Sequence, residues 1–343
     1  MPASDRLVFM ERGYVDALFG AQMGDEGKGR FTYDLAASGE YAAVARFNGG
    51  ANAGHTVEID GVEVNTHQIP SGISHDGLLN LITASSYVDP VALLTEIEEL
   101  EEHGIEISPD NLRISKGANL VLPSHIILDT LRAPGGYGPG STTRGISFVG
   151  ASKYGRDAAS IFGSDFLLDR AQTMGIVRSD LSDVYALART MDVDTDDALP
   201  EFGPLVQRWH RAMRYLQPFL INTTDEVHTL LDSGANILAE GAQSVGLDIQ
   251  HGVRPEVTSS HVTIGAVQTS LGIGPSAIRK KYGVAKLTKS RVGGTPESFP
   301  TIIADEELAE RIRGEKGKID YEAGKSTGRK RMVGWLDIPE LRK

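Results

Sequence analysis

The chain has 343 residues, 40% of them apolar, with 34 Lys and Arg against 46 Asp and Glu and a net charge of −12. This length suits one large α/β domain or two ordinary ones, and the acidity argues against nucleic acid as a general partner. There is no cysteine, which excludes disulfides and cysteine nucleophiles, and there is neither a long apolar run nor a leader-like start, so the expectation is a soluble cytoplasmic protein without membrane contact.

Residues 1–13 are polar and read as a loose extension before a domain over 14–343. Val15 to Phe19 predicts a first strand. Gly20-Ala-Gln-Met-Gly-Asp-Glu-Gly-Lys-Gly-Arg30 follows, and then a helix over Phe31 to Ala37. Strand, glycine loop and helix together present backbone N–H groups and a helix N-terminus to phosphate, and Lys28 adds a positive charge. The loop is not a Walker A motif: Gln22 stands where the first glycine belongs, and Gly29 replaces the hydroxyl residue that would hold magnesium. It also carries two carboxylates, Asp25 and Glu26. An anion beside a phosphate is repulsive unless a metal intervenes or the carboxylate does chemistry.

Tyr41–Phe47 predicts a buried strand entering a second glycine loop, Asn48-Gly-Gly-Ala-Asn-Ala-Gly-His55. The alternation on either side of Asp60-Gly61 predicts a hairpin. Leu79–Thr83 reads as a strand. Asp89 caps a helix from Pro90 to about Glu102, whose acidic run from Glu96 to Glu102 reads as a solvated face. A strand at Asn111–Ser115 and a helix at Pro123–Leu131 precede a Gly, Pro, Ser and Thr loop over 133–146, the composition of a functional loop. Residues 156–234 are mostly helical in pattern. Asn236–Leu238 predicts a strand entering a glycine turn at Ala239–Gln243. A short helix over Leu271–Lys280, a strand over Val284–Leu287, a helix over Glu306–Arg313 and a basic loop over 324–331 complete the chain. The alternation predicts a single large α/β domain with a central, mostly parallel sheet, P-loop-like nucleotide-binding architecture and long functional loops. Loops 20–30, 48–56, 140–147, 240–246 and 324–331 would then meet at the carboxyl ends of the strands.

Gly24-Asp-Glu-Gly-Lys-Gly29, Asn52-Ala-Gly-His-Thr56, Ile69-Pro-Ser-Gly72, Ser141-Thr-Thr-Arg-Gly-Ile146, Glu240-Gly-Ala-Gln243, Val257-Thr-Ser-Ser260, Ser290-Arg-Val-Gly293 and Ser326-Thr-Gly-Arg-Lys-Arg331 together resemble the adenylosuccinate synthetase family, in order and over about residues 15–337. The resemblance implies a C–N ligase that joins L-aspartate to C6 of a purine nucleotide monophosphate through a 6-phosphoryl intermediate, with hydrolysis of a nucleoside triphosphate. It implies Mg2+ as cofactor, with Asp25 and the Gly54 carbonyl in the metal shell. Asp25 matches the residue that takes the N1 proton, and His55 the one that stabilises charge on the transferred group. Lys28 and Gln243 complete the implied catalytic set. Gly24, Glu26, Gly27, Lys28, Gly29 and Arg331 match donor contacts. Asn52, Ser141, Thr142, Gln243, Thr258 and Val292 match acceptor contacts. Lys325, Ser326, Thr327 and Arg329 match the aspartate loop, where a guanidinium suits a carboxylate. Arg156 matches an arginine that reaches the neighbouring subunit's site, which implies a homodimer.

The chain also departs from the family pattern. Met23 replaces a tryptophan, Thr143 and Ser147 replace glycines, and the 292–298 stretch carries an insertion. It stops at Lys343, before the family's guanine-reading aspartate, which implies a relaxed donor choice that extends to ATP or dATP. Its length resembles the viral branch, 2-aminoadenylosuccinate synthetase, which implies dGMP as acceptor and a place in 2-aminoadenine DNA synthesis, in host cytoplasm. The acceptor expected first is therefore dGMP; the retained Asp25 weakens that assignment and keeps IMP with GTP as the alternative. The alternative from another class is a switch that hydrolyses triphosphate without forming a bond.

Overall fold

The computed structural model describes residues 11–59, 62–132, 141–191, 193–291, 299–316, 321–322 and 330–342. Seven strands build the main sheet: β1 (Val15–Gly20), β2 (Ala43–Arg46), β3 (Leu79–Ile82), β4 (Leu112–Ser115), β5 (Leu220–Ile221), β6 (Ile237–Ser244) and β7 (Ile278–Val284). Their order is β7-β1-β6-β2-β3-β4-β5, and every neighbouring pair is parallel.

A parallel sheet is covered on both faces, so its strands read as unbroken apolar runs. Successive side chains still alternate between the faces. Val15, Ala17, Ala43, Ala45, Ile237 and Ala239 point to one face, under helices Thr223–Asp232 and Ile264–Leu271. Leu18, Val44 and Leu238 point to the other, where Ala36 of helix Lys28–Ala36 packs. A larger apolar cluster lies under helices Pro90–Glu102, Arg170–Thr190 and Phe202–Leu216 and includes Trp209, whose Nε1 donates to the Val121 carbonyl at 2.9 Å.

Several expectations hold closely. Asp89 accepts from the N–H groups of Val91 and Ala92 and caps Pro90–Glu102. The hairpin pairs His55–Ile59 with Val62–Thr66. Glu306–Arg313 is helical, with acids in its first turn and arginines in its last, as the helix dipole favours. Before β1, Arg12 pairs with Asp232 at 2.8 Å and the Gly13 N–H donates to the Leu231 carbonyl.

Other expectations are corrected. Leu271 ends a helix rather than starting one: Gly272 adopts φ 69° and stops Ile264–Leu271. The following charged stretch, Arg279 to Lys281, lies in β7, the edge of the sheet, where cationic side chains discourage further strand pairing. Val284 therefore ends a strand and does not begin one. The predicted turn at 239–243 is also strand, because β6 continues through Gly241 to Ser244. A Cβ on Gly241 would lie 2.9 Å from the Phe47 ring and 3.0 Å from the Leu18 carbonyl, so the glycine serves close strand packing. Glu96 does not belong to a solvated face: it is 3% exposed and accepts from the N–H groups of His67, Gln68 and Ile69. The two-residue strand β5, set between helices, carries no strand signal of its own in the sequence.

Candidate active site

The glycine loop leaves β1 and is bent by three residues with left-handed backbone: Gly24 at φ 104°, Asp25 at 59° and Gly27 at 86°. Strain of this kind in a non-glycine residue costs roughly 1–3 kcal/mol and gathers at functional sites. It turns the two neighbouring carboxylates in opposite directions. The Asp25 side chain is 38% exposed and pairs with Arg331 Nη2 at 2.5 Å. Glu26 is buried and accepts from Lys28 Nζ at 2.8 Å, Ser244 Oγ at 2.6 Å and Gly24 N at 2.8 Å. Burial acts to raise the Glu26 pKa, but the Lys28 charge and these hydrogen bonds outweigh it and hold the group below the usual carboxylate range. The second acid of the loop is therefore the counter-ion of Lys28. Lys28 is 5% exposed and also donates to Ser244 Oγ at 3.4 Å, so its ammonium lies against the end of β6.

His55 opens the hairpin and is buried beneath this loop. A Cβ on Gly29 would lie 2.7 Å from the His55 Cβ, which explains why no hydroxyl residue stands there. His55 Nδ1 is 2.6 Å from Glu240 Oε1. Glu240 also accepts from Ser71 N at 2.9 Å and Ser71 Oγ at 2.5 Å, and lies 3.6 Å from Arg46 Nη1. Burial opposes the Glu240 carboxylate, but the contacts from His55, Arg46 and Ser71 hold it ionised, down at about 2. Burial, and then the Arg46 charge, push His55 down to about 4. The ring is neutral at pH 7, and only a proton at Nδ1 satisfies a carboxylate this close, so the tautomer is assigned on that basis. Arg46 Nη1, 3.0 Å from the same nitrogen, then acts through its charge.

A second buried imidazole, His125, is likewise pushed by burial to about 4. An unfolded histidine titrates near 6.5. Both groups have lowered folded values, so their stabilising effect is complete above pH 6.5 and is lost as pH falls towards 4. The urea midpoint should therefore drop between pH 7 and pH 4, with a loss of unfolding free energy of roughly 3 kcal/mol for each imidazole. A midpoint constant over that range would mean that neither imidazole is buried neutral.

Direct contacts join the described parts of the other glycine- and hydroxyl-rich segments to one another and to the glycine loop. Gln243, at φ 55°, donates from Nε2 to Asn52 Oδ1 at 3.3 Å, joining the end of β6 to the loop after β2. The Gly246 N–H donates to the Gln22 carbonyl at 2.9 Å and brings in the glycine loop. The Thr258 N–H donates to the Leu247 carbonyl at 2.8 Å, while the Thr258 hydroxyl and Gln243 Oε1 are buried without hydrogen-bond partners among the described residues. Such atoms call for a ligand or an ordered water. Ser141 Oγ and Gly145 N both donate to Asp129 Oδ2, at 2.7 and 2.9 Å, which holds Thr142 at the start of helix Ile146–Gly155. A Cβ on Gly50 would lie 3.0 Å from Ile146 Cδ1, so this segment lies against the second glycine loop. Arg156 ends that helix exposed, at φ 55°. Val292, Lys325, Ser326, Thr327 and Arg329 lie outside the described residues.

Four functional neighbours were absent from the expected site: Arg46, Ser71, Glu240 and Ser244. A signal for two of them existed. Arg46 sits inside the apolar run Tyr41–Phe47, and Glu240 follows Ile237–Ala239; a charge within a buried strand requires a partner. No group of three His, Asp or Glu side chains that could hold a metal occurs among the described residues. The exposed carboxylate of the glycine loop, Asp25, is of the kind magnesium takes, one or two carboxylates together with substrate phosphates rather than an all-protein cage. No helix among the described residues is long and apolar enough to cross a membrane.

A family model described as adenylosuccinate synthetase matches residues 17–343. The chain belongs to the adenylosuccinate synthetase family. It is a C–N ligase of that family, with nucleotides and aspartate as the family's small-molecule substrates. The adenylosuccinate synthetase of Clostridium perfringens is 38% identical over 95% of this chain and 73% of its own length. That of Xanthomonas campestris is 40% identical over 96% and 74%. The fully ligated adenylosuccinate synthetase of Plasmodium falciparum superposes with a TM-score of 0.79 at 28% identity, covering 96% of this chain and 73% of that one. The succinoaminodeoxyadenylate synthetase of cyanophage S-2L, bound to dGMP and dATP, superposes with a TM-score of 0.65 at 20% identity, over 96% and 80%. The last is a likeness of fold alone.

Proposed function

We propose that this chain joins L-aspartate to C6 of IMP, using GTP and a 6-phosphoryl intermediate. The observation that carries the reading is the division of labour in the glycine loop. Glu26 is folded back onto Lys28, while Asp25 stays exposed beside Arg331. Asp25 takes the N1 proton, the purine O6 attacks the γ-phosphorus, and the nucleoside diphosphate leaves. The aspartate amine then attacks C6 and phosphate departs. Arg331 and the loop amides bind donor phosphates; Asn52, Thr142, Gln243 and Thr258 hold the acceptor. The 324–331 loop holds aspartate. Asp25 and the Gly54 carbonyl would hold magnesium, which would supply positive charge against the donor phosphates. His55, neutral in the free protein with its proton on Nδ1, would take a second proton from solvent at Nε2 as the donor phosphates bind, because an added anion favours the imidazolium. The working unit in this reading is a cytoplasmic homodimer in which Arg156 reaches the neighbouring site.

IMP is preferred to dGMP because the relatives named adenylosuccinate synthetase are 38% and 40% identical over nearly the whole chain, against 20% for the phage enzyme. The test crosses IMP, dIMP, GMP and dGMP with GTP, ATP and dATP in the presence of aspartate and magnesium, and reads products by mass. Adenylosuccinate from IMP is the expected product. Turnover with dGMP alone would restore the viral assignment. Phosphate release independent of aspartate and of acceptor would instead indicate a hydrolytic switch.

A further inference from the structure

Arg331 is placed by residues to which the ligase reading gives no role. Its side chain is 5% exposed. Nη1 donates to Glu322 Oε2 at 2.5 Å, and its backbone N–H donates to the Glu322 carbonyl at 3.1 Å. Arg313 Nε donates to the Arg331 carbonyl at 2.8 Å. Glu322 is itself gripped: Lys286 Nζ donates to Oε1 at 2.7 Å and Ser290 Oγ to Oε2 at 2.9 Å. Lys286 lies just beyond β7, and its backbone is clamped by one side chain of the glycine loop. Gln22 Nε2 donates to the Lys286 carbonyl at 2.9 Å, and the Lys286 N–H donates to Gln22 Oε1 at 3.0 Å. The contacts thus form a ring from Gln22 through Lys286, Glu322 and Arg331 to Asp25, which returns to the same loop.

The two edges of the Arg331 guanidinium differ. One nitrogen, Nη1, is fixed by the Glu322 carboxylate. On the other edge Nη2 is 2.5 Å from Asp25 Oδ2, yet among the described residues neither Nε nor Nη2 has a hydrogen-bond partner, although both are buried. A buried guanidinium edge with unsatisfied N–H groups is built for two oxygens of one anion, and the planar fork matches phosphate. Its direction is set from behind, by the carboxylate on Nη1.

We propose that Glu322 is a positioning residue: by holding Nη1 it aims the Nε and Nη2 edge of Arg331 at the glycine loop, where that edge receives phosphate oxygens of the donor. This inference rests on the ligase reading and names the residue that orients its donor-binding arginine. Lys286 and Ser290 keep Glu322 in place, and Gln22 ties the assembly to the loop that carries the phosphate-binding amides.

The test uses Glu322→Gln in the full chain. Glutamine keeps the volume and an acceptor for Nη1 but loses the charge that locks the fork. Donor affinity for GTP is read by calorimetry, together with KM for GTP, KM for IMP, kcat and the thermal midpoint. We expect the donor Kd and KM to rise about tenfold or more, as loss of a charge-assisted contact does, while KM for IMP and the midpoint stay near their original values. Arg331→Lys should raise the donor KM by a similar factor, and the double variant should add nothing, because both changes remove one interaction. Ser290→Ala, a milder change at the same carboxylate, should move donor KM in the same direction by about threefold. Unchanged donor affinity in Glu322→Gln, additive losses in the double variant, or an equal fall in every parameter together with the midpoint would each overturn the proposal. If the unaltered chain makes no product from IMP and aspartate, the ligase reading fails. The donor Kd of the two variants then still decides the role of Glu322.

Discussion

Replacing Asp25 with asparagine should lower turnover by about 10²- to 10⁴-fold, the range expected when a general base is lost, while IMP binding changes by less than about threefold. The substitution keeps the shape of the side chain and its place in the bent loop. It removes the charge that pairs with Arg331 and the lone pair that accepts a proton. Because proton removal belongs to the transition state, kcat and kcat/KM should fall together. The fold should hardly respond, since the side chain is 38% exposed and an ion pair with one partner in solvent contributes little to stability. Initial rates, calorimetric titration with IMP and a thermal midpoint decide the matter. Turnover within a few-fold of the original would mean that another group takes the N1 proton.

The second large effect lies beneath the site. Glu240→Ala should destabilise the protein by roughly 3–5 kcal/mol in urea unfolding, the cost of stranding one partner of a buried pair. Arg46 is 1% exposed and His55 5%, so neither can turn to water for compensation. Activity should fall as well, because Glu240 fixes the ring assigned to the transferred group. Stability and activity can be separated. The double replacement Arg46→Met with Glu240→Leu removes both charges and should recover most of the lost stability while turnover stays low. Recovery of turnover along with stability would show that the buried pair serves folding alone. A single variant as stable as the original would mean that the pair is not buried in solution.

These experiments divide along the line between what is legible in the sequence and what is not. The glycine loop, the capped helix at Pro90–Glu102, the hairpin and the helix Glu306–Arg313 can all be read locally. Their signals, namely glycine spacing, an Asx cap before proline and strict alternation, depend on residues within one or two turns of each other. β7 escapes such a reading for the converse reason. Its charged middle carries no strand signal, and it is a strand because β1 offers it a free edge. The two-residue β5 likewise exists only by pairing with β4. In sequence Glu96 is one acid among several, and only the approach of the 67–69 backbone makes it a buried acceptor.

The candidate site follows the same division. Motif order along the chain is enough to name the chemistry and to single out Asp25 and His55, because a glycine loop with an extra carboxylate is a local pattern. Which carboxylate is available to substrate is not local. Asp25 and Glu26 are adjacent in sequence and alike in charge, and their roles diverge because Ser244, 218 residues away, helps Lys28 to bury one of them, while Arg331 meets the other from the far end of the chain. The neutral state of His55 is equally a property of packing: Arg46 and Glu240 reach it from two neighbouring strands, β2 and β6. Residue types and spacing set the reaction class, since chemistry depends on which groups are present. Long-range packing set the charge, direction and accessibility of each group, since those depend on what lies within a few ångströms in space.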